Sequence, residues 1–204
     1  MVLGILIALQ INKWNEYRTE RNSEQKVLPA IYSDFKFNKV EILENIKETE
    51  QMVTGTKNVL EIFNSDTISN KSCNSLISKM INFSTFHPAD GALNDLLNSG
   101  RLNIILNDSL KDKLSNWNSL VLDVTEDEVY LRQFIDTYFE PIKLEYISFK
   151  YSKFERNCTP LLKDAKFEKI VFNINHLATY QLYLYHKLDK EIDMLLNLLE
   201  NQLK

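Results

Sequence analysis

The chain of 204 residues is long enough for one domain with a buried core, or for a domain and an anchor. Its formal charge of −4 comes from interspersed acids and bases without a basic stripe, which argues against binding to nucleic-acid phosphates. Because it has only four Gly and four Pro, turns for a many-stranded sheet are scarce, and the composition favours long helices.

Residues 1–11 are apolar except for Gln10. A spanning helix needs about 20 apolar residues, so three interpretations compete. The rest of a spanning helix lies upstream, the segment lies in the membrane interface, or it is a buried core helix. A signal peptide is disfavoured because no charged region precedes the run and no small-residue cleavage site follows it.

Two amphipathic aromatic residues, Trp14 and Tyr17, and the basic residue Arg18 follow this run, at the point where an apolar helix would meet water. Such a pattern is typical of an interfacial belt, although a helix that becomes amphipathic after a buried end would also show it. We predict that the membrane-anchoring residues are Val2, Leu3, Ile5, Leu6, Ile7, Leu9, Ile11, Trp14 and Tyr17.

Residues 24–63 carry one apolar stripe at alternating steps of three and four, which predicts a helix. Lys39, Thr49 and Thr56 interrupt it, which favours packing inside a bundle over an isolated coiled-coil dimer. Nothing between Gln10 and Pro29 breaks a helix strongly, so the first segment is predicted to continue into the domain, with Pro29 as the position where it could kink. The predicted stripe consists of Leu28, Tyr32, Phe35, Ile42, Ile46, Val53, Leu60 and Phe63.

Short helices are predicted over residues 75–83 and 89–98, with Gly100 as a left-handed helix end and Asn107 or Asp108 as the cap of the next helix. That helix is predicted over residues 109–139, with Pro141 just beyond its end and Glu128 as the one interruption of its stripe. The stripe consists of Leu110, Leu114, Trp117, Val121, Val124, Leu131, Ile135 and Tyr138.

Residues 142–172 are the least helical part, because Ile142, Leu144 and Tyr146 alternate with polar residues as in a short strand or an extended aromatic segment. A last helix is predicted over residues 174–203, with Leu177, Leu184, Leu188, Ile192, Leu195 and Leu199 on one face. The predicted fold is therefore all-α: an antiparallel bundle with one short irregular or extended segment. Residues 1–12 are predicted to be the end of a membrane-spanning helix, and residues 13–204 a soluble bundle.

No phosphate-binding loop, dinucleotide fingerprint, serine-nucleophile elbow or His-Glu-x-x-His helix occurs in the sequence. Cys73 and Cys158 lack metal-ligand spacing, and both a disulfide and two unpaired thiols stay open. Of the histidines at 87, 176 and 186, the last two diverge by roughly 80° around a helix, so no metal pair is predicted.

Two further clusters have an ordinary interpretation. The acidic triplet 126–128 is interpreted as solvated surface, because consecutive helix positions point to different faces. Tyr180, Tyr183, Tyr185 and His186 are interpreted as core packing with hydroxyls at the rim, the alternative being the lining of a pocket. Trp117 is predicted to be a core anchor. No catalytic, cofactor or metal site is predicted.

Residues 4–16, with the sequence GILIALQINKWNE, resemble the opening of an uncharacterised bacterial membrane-protein family, domain of unknown function 6090. Residues 99–105 and 110–114 resemble an internal segment of that family. The resemblance implies a basic N-terminal stretch, one spanning helix in the inner membrane and a periplasmic helical domain, but no activity. The basic stretch and the first half of the spanning helix are absent here, so a truncated or misassigned start is expected. Lys13, Arg18 and Arg21 argue for the opposite orientation.

Three hypotheses about function follow. The leading one is a non-enzymatic, single-pass membrane protein whose bundle binds a partner or a small signal. The alternatives are an enzyme whose site is assembled between helices and a structural oligomer in which the first helix pairs with its copy.

Overall fold

The computed structural model describes residues 2–64, 79–81, 84–146 and 160–204, with the side chains of all of these except residues 2, 3 and 146. Across these residues the protein is a bundle of packed helices without a strand, which confirms the all-α prediction. The helices are α1 (Val2–Phe63), α2 (Gly91–Asn98), α3 (Asp108–Phe134), α4 (Glu140–Tyr146) and α5 (Ala165–Leu203). Single 3-10 turns cover Leu102–Ile104 and Leu161–Lys163, and a π-helical turn covers Ile135–Phe139.

Helix α1 runs without interruption through Pro29, so the predicted continuous helix is confirmed. Its buried positions alternate at steps of four and three, the spacing that keeps one face against a bundle. The stripe lies slightly to one side of the predicted one, because Ile31, Met52 and Val59 are fully buried where Tyr32, Val53 and Leu60 were expected. None of the described helices combines the length and the apolarity needed to cross a membrane.

The chain forms two compact units, and three of the helices contribute to both. The first unit comprises residues 1–40, 87–120 and 190–204. In it α1 and α5 run antiparallel, since the hydroxyl of Tyr32 donates to Glu200 over 2.6 Å while Lys39, seven residues later, pairs with Asp193 at 2.7 Å. Trp117 is fully buried and packs edge-to-face on Phe35 with ring centroids 4.7 Å apart, as expected of a core anchor.

The second unit comprises residues 41–86 and 121–189. Its core includes Met52, Val59, Met80, Leu131, Ile135, Phe139, Phe167 and Ile174. Asn175 of α5 donates to the Thr56 hydroxyl over 2.8 Å, and Phe63 contacts Phe167 at a centroid distance of 6.1 Å, so α1 and α5 are antiparallel here as well.

Both helix ends predicted from local residues are confirmed. Gly100 has φ +67°, and the amides of Gly100 and Arg101 donate to Leu97 and Leu96, a Schellman end that glycine forms without strain. Asn107 is the cap of α3, because its side-chain oxygen accepts the amide of Leu110 over 2.9 Å.

The predicted end of α3 near Pro141 is wrong. A π-helical turn, in which the amide of Glu140 donates five residues back to Ile135, leads into α4 with Pro141 as its second residue. In a regular helix the proline ring would collide with the carbonyl four residues earlier, and the wider turn accommodates it. Phe139 at the end of this turn is buried, whereas Tyr138, predicted on the stripe, is exposed.

The strand suggested at Ile142, Leu144 and Tyr146 is also wrong, because all three lie in α4. Helix α5 begins nine residues before the predicted start, after Asp164 caps it by accepting the amide of Lys166 over 2.7 Å. Most of the predicted helix over residues 75–83, and the aromatic segment at residues 147–159, lie outside the described residues.

Candidate functional sites

The N-terminal end of α1 is the first candidate. Every residue from Gly4 to Thr19 is exposed, so this stretch contributes nothing to the core of its unit. We call residues 4–11 the apolar segment. Its large side chains are 53–60% exposed, and they are Ile5, Leu6, Ile7, Leu9 and Ile11. Of the predicted anchoring residues, Val2 and Leu3 lie outside the described side chains.

The apolar side chains surround the helix. Successive residues turn by about 100°, so Ile5, Leu6 and Ile7 point in three directions, while Leu9 and Ile11 occupy positions between them. An amphipathic surface helix would instead confine its apolar residues to one stripe. The apolar segment therefore exposes large apolar side chains on all sides of the helix.

An aromatic and basic collar follows directly. Trp14 and Tyr17 are exposed, and the guanidinium of Arg18 lies 5.7 Å from the centre of the Trp14 ring, a cation–π distance. Asn12 donates to Glu16 over 2.7 Å. Rings with a polar edge beside a cation suit the boundary between hydrocarbon and water.

The second candidate is a buried polar cluster in the second unit, centred on Glu128 and Tyr185. The Tyr185 hydroxyl donates to a carboxylate oxygen of Glu128 over 2.7 Å, and the amide of Phe86 donates to the same oxygen over 3.1 Å. Burial, the negative charge of Glu128 and the hydrogen bond to it together raise the pKa of Tyr185 well above its usual value. Tyr185 therefore stays protonated as the donor of this pair.

Polar side chains extend this cluster on α1 and α5. The Ser84 hydroxyl donates to the amide oxygen of Asn45, and the Gln181 amide donates to the Val124 carbonyl over 3.3 Å. The Asn45 side-chain nitrogen and the Gln181 side-chain oxygen are buried and have no hydrogen-bond partner within the part of the chain that the structure describes.

The interpretation of the acidic triplet as solvated surface is wrong for Glu128, which is 3% exposed, although Glu126 is exposed. The aromatic patch divides as well: Tyr185 is 1% exposed, whereas Tyr180, Tyr183 and His186 are exposed. Core packing is thus correct for Tyr185 alone. Because Glu128 and Tyr185 are both buried, neither can touch a substrate that arrives from solvent. Their hydrogen bonds join α3, α5 and the segment that contains Phe86.

A groove of about 580 Å³ lies along α1 in the second unit, lined by Lys47, Glu50, Gln51, Thr54, Gly55, Asn58 and Lys79. The lining side chains are exposed, whereas Gly55 is buried against the backbone of Lys79. Because the charged side chains of Lys47, Glu50 and Lys79 are exposed, the groove indicates no particular ligand.

His87, His176 and His186 are all exposed, and Cys73 and Cys158 lie outside the described residues. Among the residues that the structure does describe, no three His, Cys, Asp or Glu side chains are grouped so that they could hold a metal ion.

Comparison with known proteins found no relative of this chain. A scan against protein-family models, a search of curated proteins and a search of solved structures each returned no match. The resemblance at residues 4–16, 99–105 and 110–114 therefore stays a hypothesis based on those residues.

Proposed function

We propose that this chain is a non-catalytic helical domain attached to a membrane by the apolar segment, whose bundle binds a protein partner or a small signal. The observation that supports the proposal is the exposure of Ile5, Leu6, Ile7, Leu9 and Ile11 around the whole helix. Burying each such side chain contributes about 1.5–3 kcal/mol. With all of them in water, this stretch therefore lacks several kcal/mol of favourable transfer free energy.

The dimensions fit insertion into one half of a bilayer. The ten residues from Val2 to Ile11 rise about 15 Å at 1.5 Å per residue, roughly half of a hydrocarbon core about 30 Å thick. Trp14, Tyr17 and Arg18 would then lie at the level of the headgroups. The finer proposal of a single-pass bacterial inner-membrane protein with a periplasmic bundle relies on the family resemblance.

The test uses the full 204-residue chain and vesicles of phosphatidylethanolamine and phosphatidylglycerol. The wild-type chain is expected to float with the vesicles. The double variant Leu6→Lys/Leu9→Lys is expected to lose at least about 3 kcal/mol of apolar transfer, which weakens partition about a hundred-fold. Flotation at several lipid concentrations measures this partition.

A matched control distinguishes insertion from general stickiness. Leu122 and Val129 on α3 are 55% and 52% exposed, close to the 55% and 53% of Leu6 and Leu9. Leu122→Lys/Val129→Lys should therefore float like the wild type. A wild-type chain that stays with the aqueous fraction, or a control that detaches as fully as the test variant, would contradict membrane attachment.

A second readout is taken in cells. The protein produced from its own gene is expected to sediment with membranes and to resist carbonate extraction. Protease added to spheroplasts should then digest the bundle if it is periplasmic, while recovery in the soluble fraction would count against the anchor itself.

A further inference from the structure

Arg18 is an exposed cation that contacts an aromatic ring and no carboxylate. Its guanidinium lies over the ring of Trp14, 5.7 Å from the ring centre, and both side chains are exposed. Within the part of the chain that the structure describes, the Arg18 side chain forms no ion pair and no hydrogen bond. The positions three and four residues away, which share its side of the helix, hold Trp14, Asn15, Arg21 and Asn22. None of them is acidic.

The acids of this stretch lie on another side of α1. Glu16 and Glu20 are two residues before and after Arg18, which places each about 160° from it around the helix. Glu24, further along, forms an ion pair with Arg21. Since no neighbouring carboxylate neutralises Arg18, an anion that binds beside it has to come from outside the chain.

The contact with Trp14 also determines the height of this charge along α1. Side chains of a helix tilt toward its N-terminus. The Cα of Arg18 lies about 10 Å beyond that of Ile11, but the guanidinium is turned back to Trp14, whose Cα lies only about 4.5 Å beyond it. With Ile11 at the edge of the hydrocarbon, the charge lies within the headgroup layer, which is about 5–7 Å thick on each side of a bilayer.

The anion of that layer that suits a guanidinium is the phosphodiester. A guanidinium presents a planar edge of N–H donors that matches two phosphate oxygens, and it can stack on an aromatic ring at the same time. We propose that Arg18, supported by Trp14, binds the phosphate of a phospholipid headgroup. The inference rests on the proposed membrane attachment, because only the attached chain brings Arg18 to the headgroup layer.

Phosphate in free solution has the same chemistry, but the lipid is favoured as its source. One exposed guanidinium contributes little to an ion pair in water, where salt and side-chain entropy oppose it. The apolar segment instead holds Arg18 among headgroups, where the effective concentration of phosphate is far higher than in solution. The lipid phosphate is therefore bound as a second contact after insertion.

Flotation of the full chain with three kinds of vesicle tests the proposal. Phosphatidylcholine carries the phosphate without net charge, a mixture of phosphatidylethanolamine and phosphatidylglycerol adds negative charge, and digalactosyldiacylglycerol has neither phosphate nor charge. The wild-type chain is expected to float with all three. Arg18→Gln should weaken partition about fivefold on both phospholipid vesicles, and it should change nothing on the galactolipid.

Lys36→Gln is the matched control. Lys36 is also exposed and also lies over an aromatic ring four residues earlier, 5.6 Å from the ring centre of Tyr32. It is about 27 Å further along α1 than Arg18, well beyond the roughly 10 Å over which salt screens exposed charges. Lys36→Gln should therefore float with every vesicle like the wild type.

The possible results separate the phosphate site from the attachment. If the wild type floats but Arg18→Gln is unchanged, loses partition equally on the galactolipid, or loses it only on the charged mixture, the phosphate site is overturned and the attachment stands. A wild type that floats with no vesicle overturns both. Circular dichroism verifies that each variant is folded.

A last measurement separates the lipid from free phosphate. Trp14 is the exposed tryptophan of the chain, whereas Trp117 is fully buried. Because one exposed ion pair is weak in water, inorganic phosphate at about 10 mM without lipid should leave the tryptophan fluorescence unchanged. A saturating change that Arg18→Gln abolishes would assign the site to free phosphate and overturn the lipid.

Discussion

Polar residues occupy core positions of this bundle wherever an irregular segment must be held against a helix. Glu24 of α1 is fully buried, forms an ion pair with Arg21 and accepts the amide of Leu106 over 2.9 Å. Asn38 accepts the amide of Ala89 over 2.7 Å and donates to its carbonyl over 2.9 Å. These side chains therefore supply hydrogen-bond partners to the backbone of the connecting segments.

The pair of Glu128 and Tyr185 gives a prediction at this scale. Tyr185→Phe leaves a buried carboxylate with one donor fewer, so the free energy of unfolding should fall by about 1–3 kcal/mol. In the Glu128→Leu background the Tyr185 hydroxyl has no carboxylate to donate to. There Tyr185→Phe should leave the free energy of unfolding nearly unchanged or raise it. Urea denaturation of the four proteins measures the difference.

Tyr183→Phe is the control for that cycle. Because the hydroxyl of Tyr183 is exposed, its removal should change the free energy of unfolding by less than about 0.5 kcal/mol. Equal costs of Tyr185→Phe in both backgrounds would mean that the bond to Glu128 contributes nothing specific.

Gly55 gives a second prediction. A Cβ at this position would overlap the carbonyl oxygen of Lys79 and lie 2.7 Å from its carbon, and both belong to the backbone. Gly55→Ala should therefore destabilise by about 1–3 kcal/mol although alanine favours helices. Gly4→Ala, which meets nothing within 4 Å, is the matched control. Thermal unfolding compares the two, and a stabilised Gly55→Ala would show that Lys79 can move away.

At the scale of elements, the long helices could be predicted from apolar residues spaced at alternating steps of three and four. The existence of α1, α3 and α5 followed from this alternation. The helix ends at Gly100 and Asn107 followed from the residues themselves, because these act on their immediate neighbours. The π-helical turn could not be predicted, since its cause, Pro141, also fits the simpler explanation that the helix stops. Glu128 was missed for a related reason: its place between Val124 and Leu131 on the stripe was visible, but its partner Tyr185 lies 57 residues away.

The π-helical turn gives a prediction of its own. Phe139→Ala should cost about 3–5 kcal/mol, because the ring is fully buried, whereas Tyr138→Ala should cost less than about 1 kcal/mol at an exposed position. Equal costs at the two positions would contradict the burial of Phe139 in preference to Tyr138. Chemical denaturation of the two variants measures both costs.

At the scale of the whole molecule, composition and periodicity established the fold class but not the surfaces. The sequence alone could not show whether the apolar segment would be covered by the bundle, and the structure leaves Gly4–Thr19 exposed. Tyr180, Tyr183 and His186 were interpreted as core together with Tyr185 for the same reason: the sequence places aromatic residues close to a stripe without showing which of them are buried. The flotation experiment belongs to this scale, since it concerns a surface of the entire protein.

The long-range bonds of α1 also bear on how the protein is made. Tyr32 meets Glu200 across 168 positions, and Asn175 reaches Val53 across 122. A ribosome adds roughly 5–20 residues per second, so α1 emerges many seconds before the helix that covers its apolar side. During synthesis that side is uncovered until α5 has emerged, and it is open to aggregation for that time.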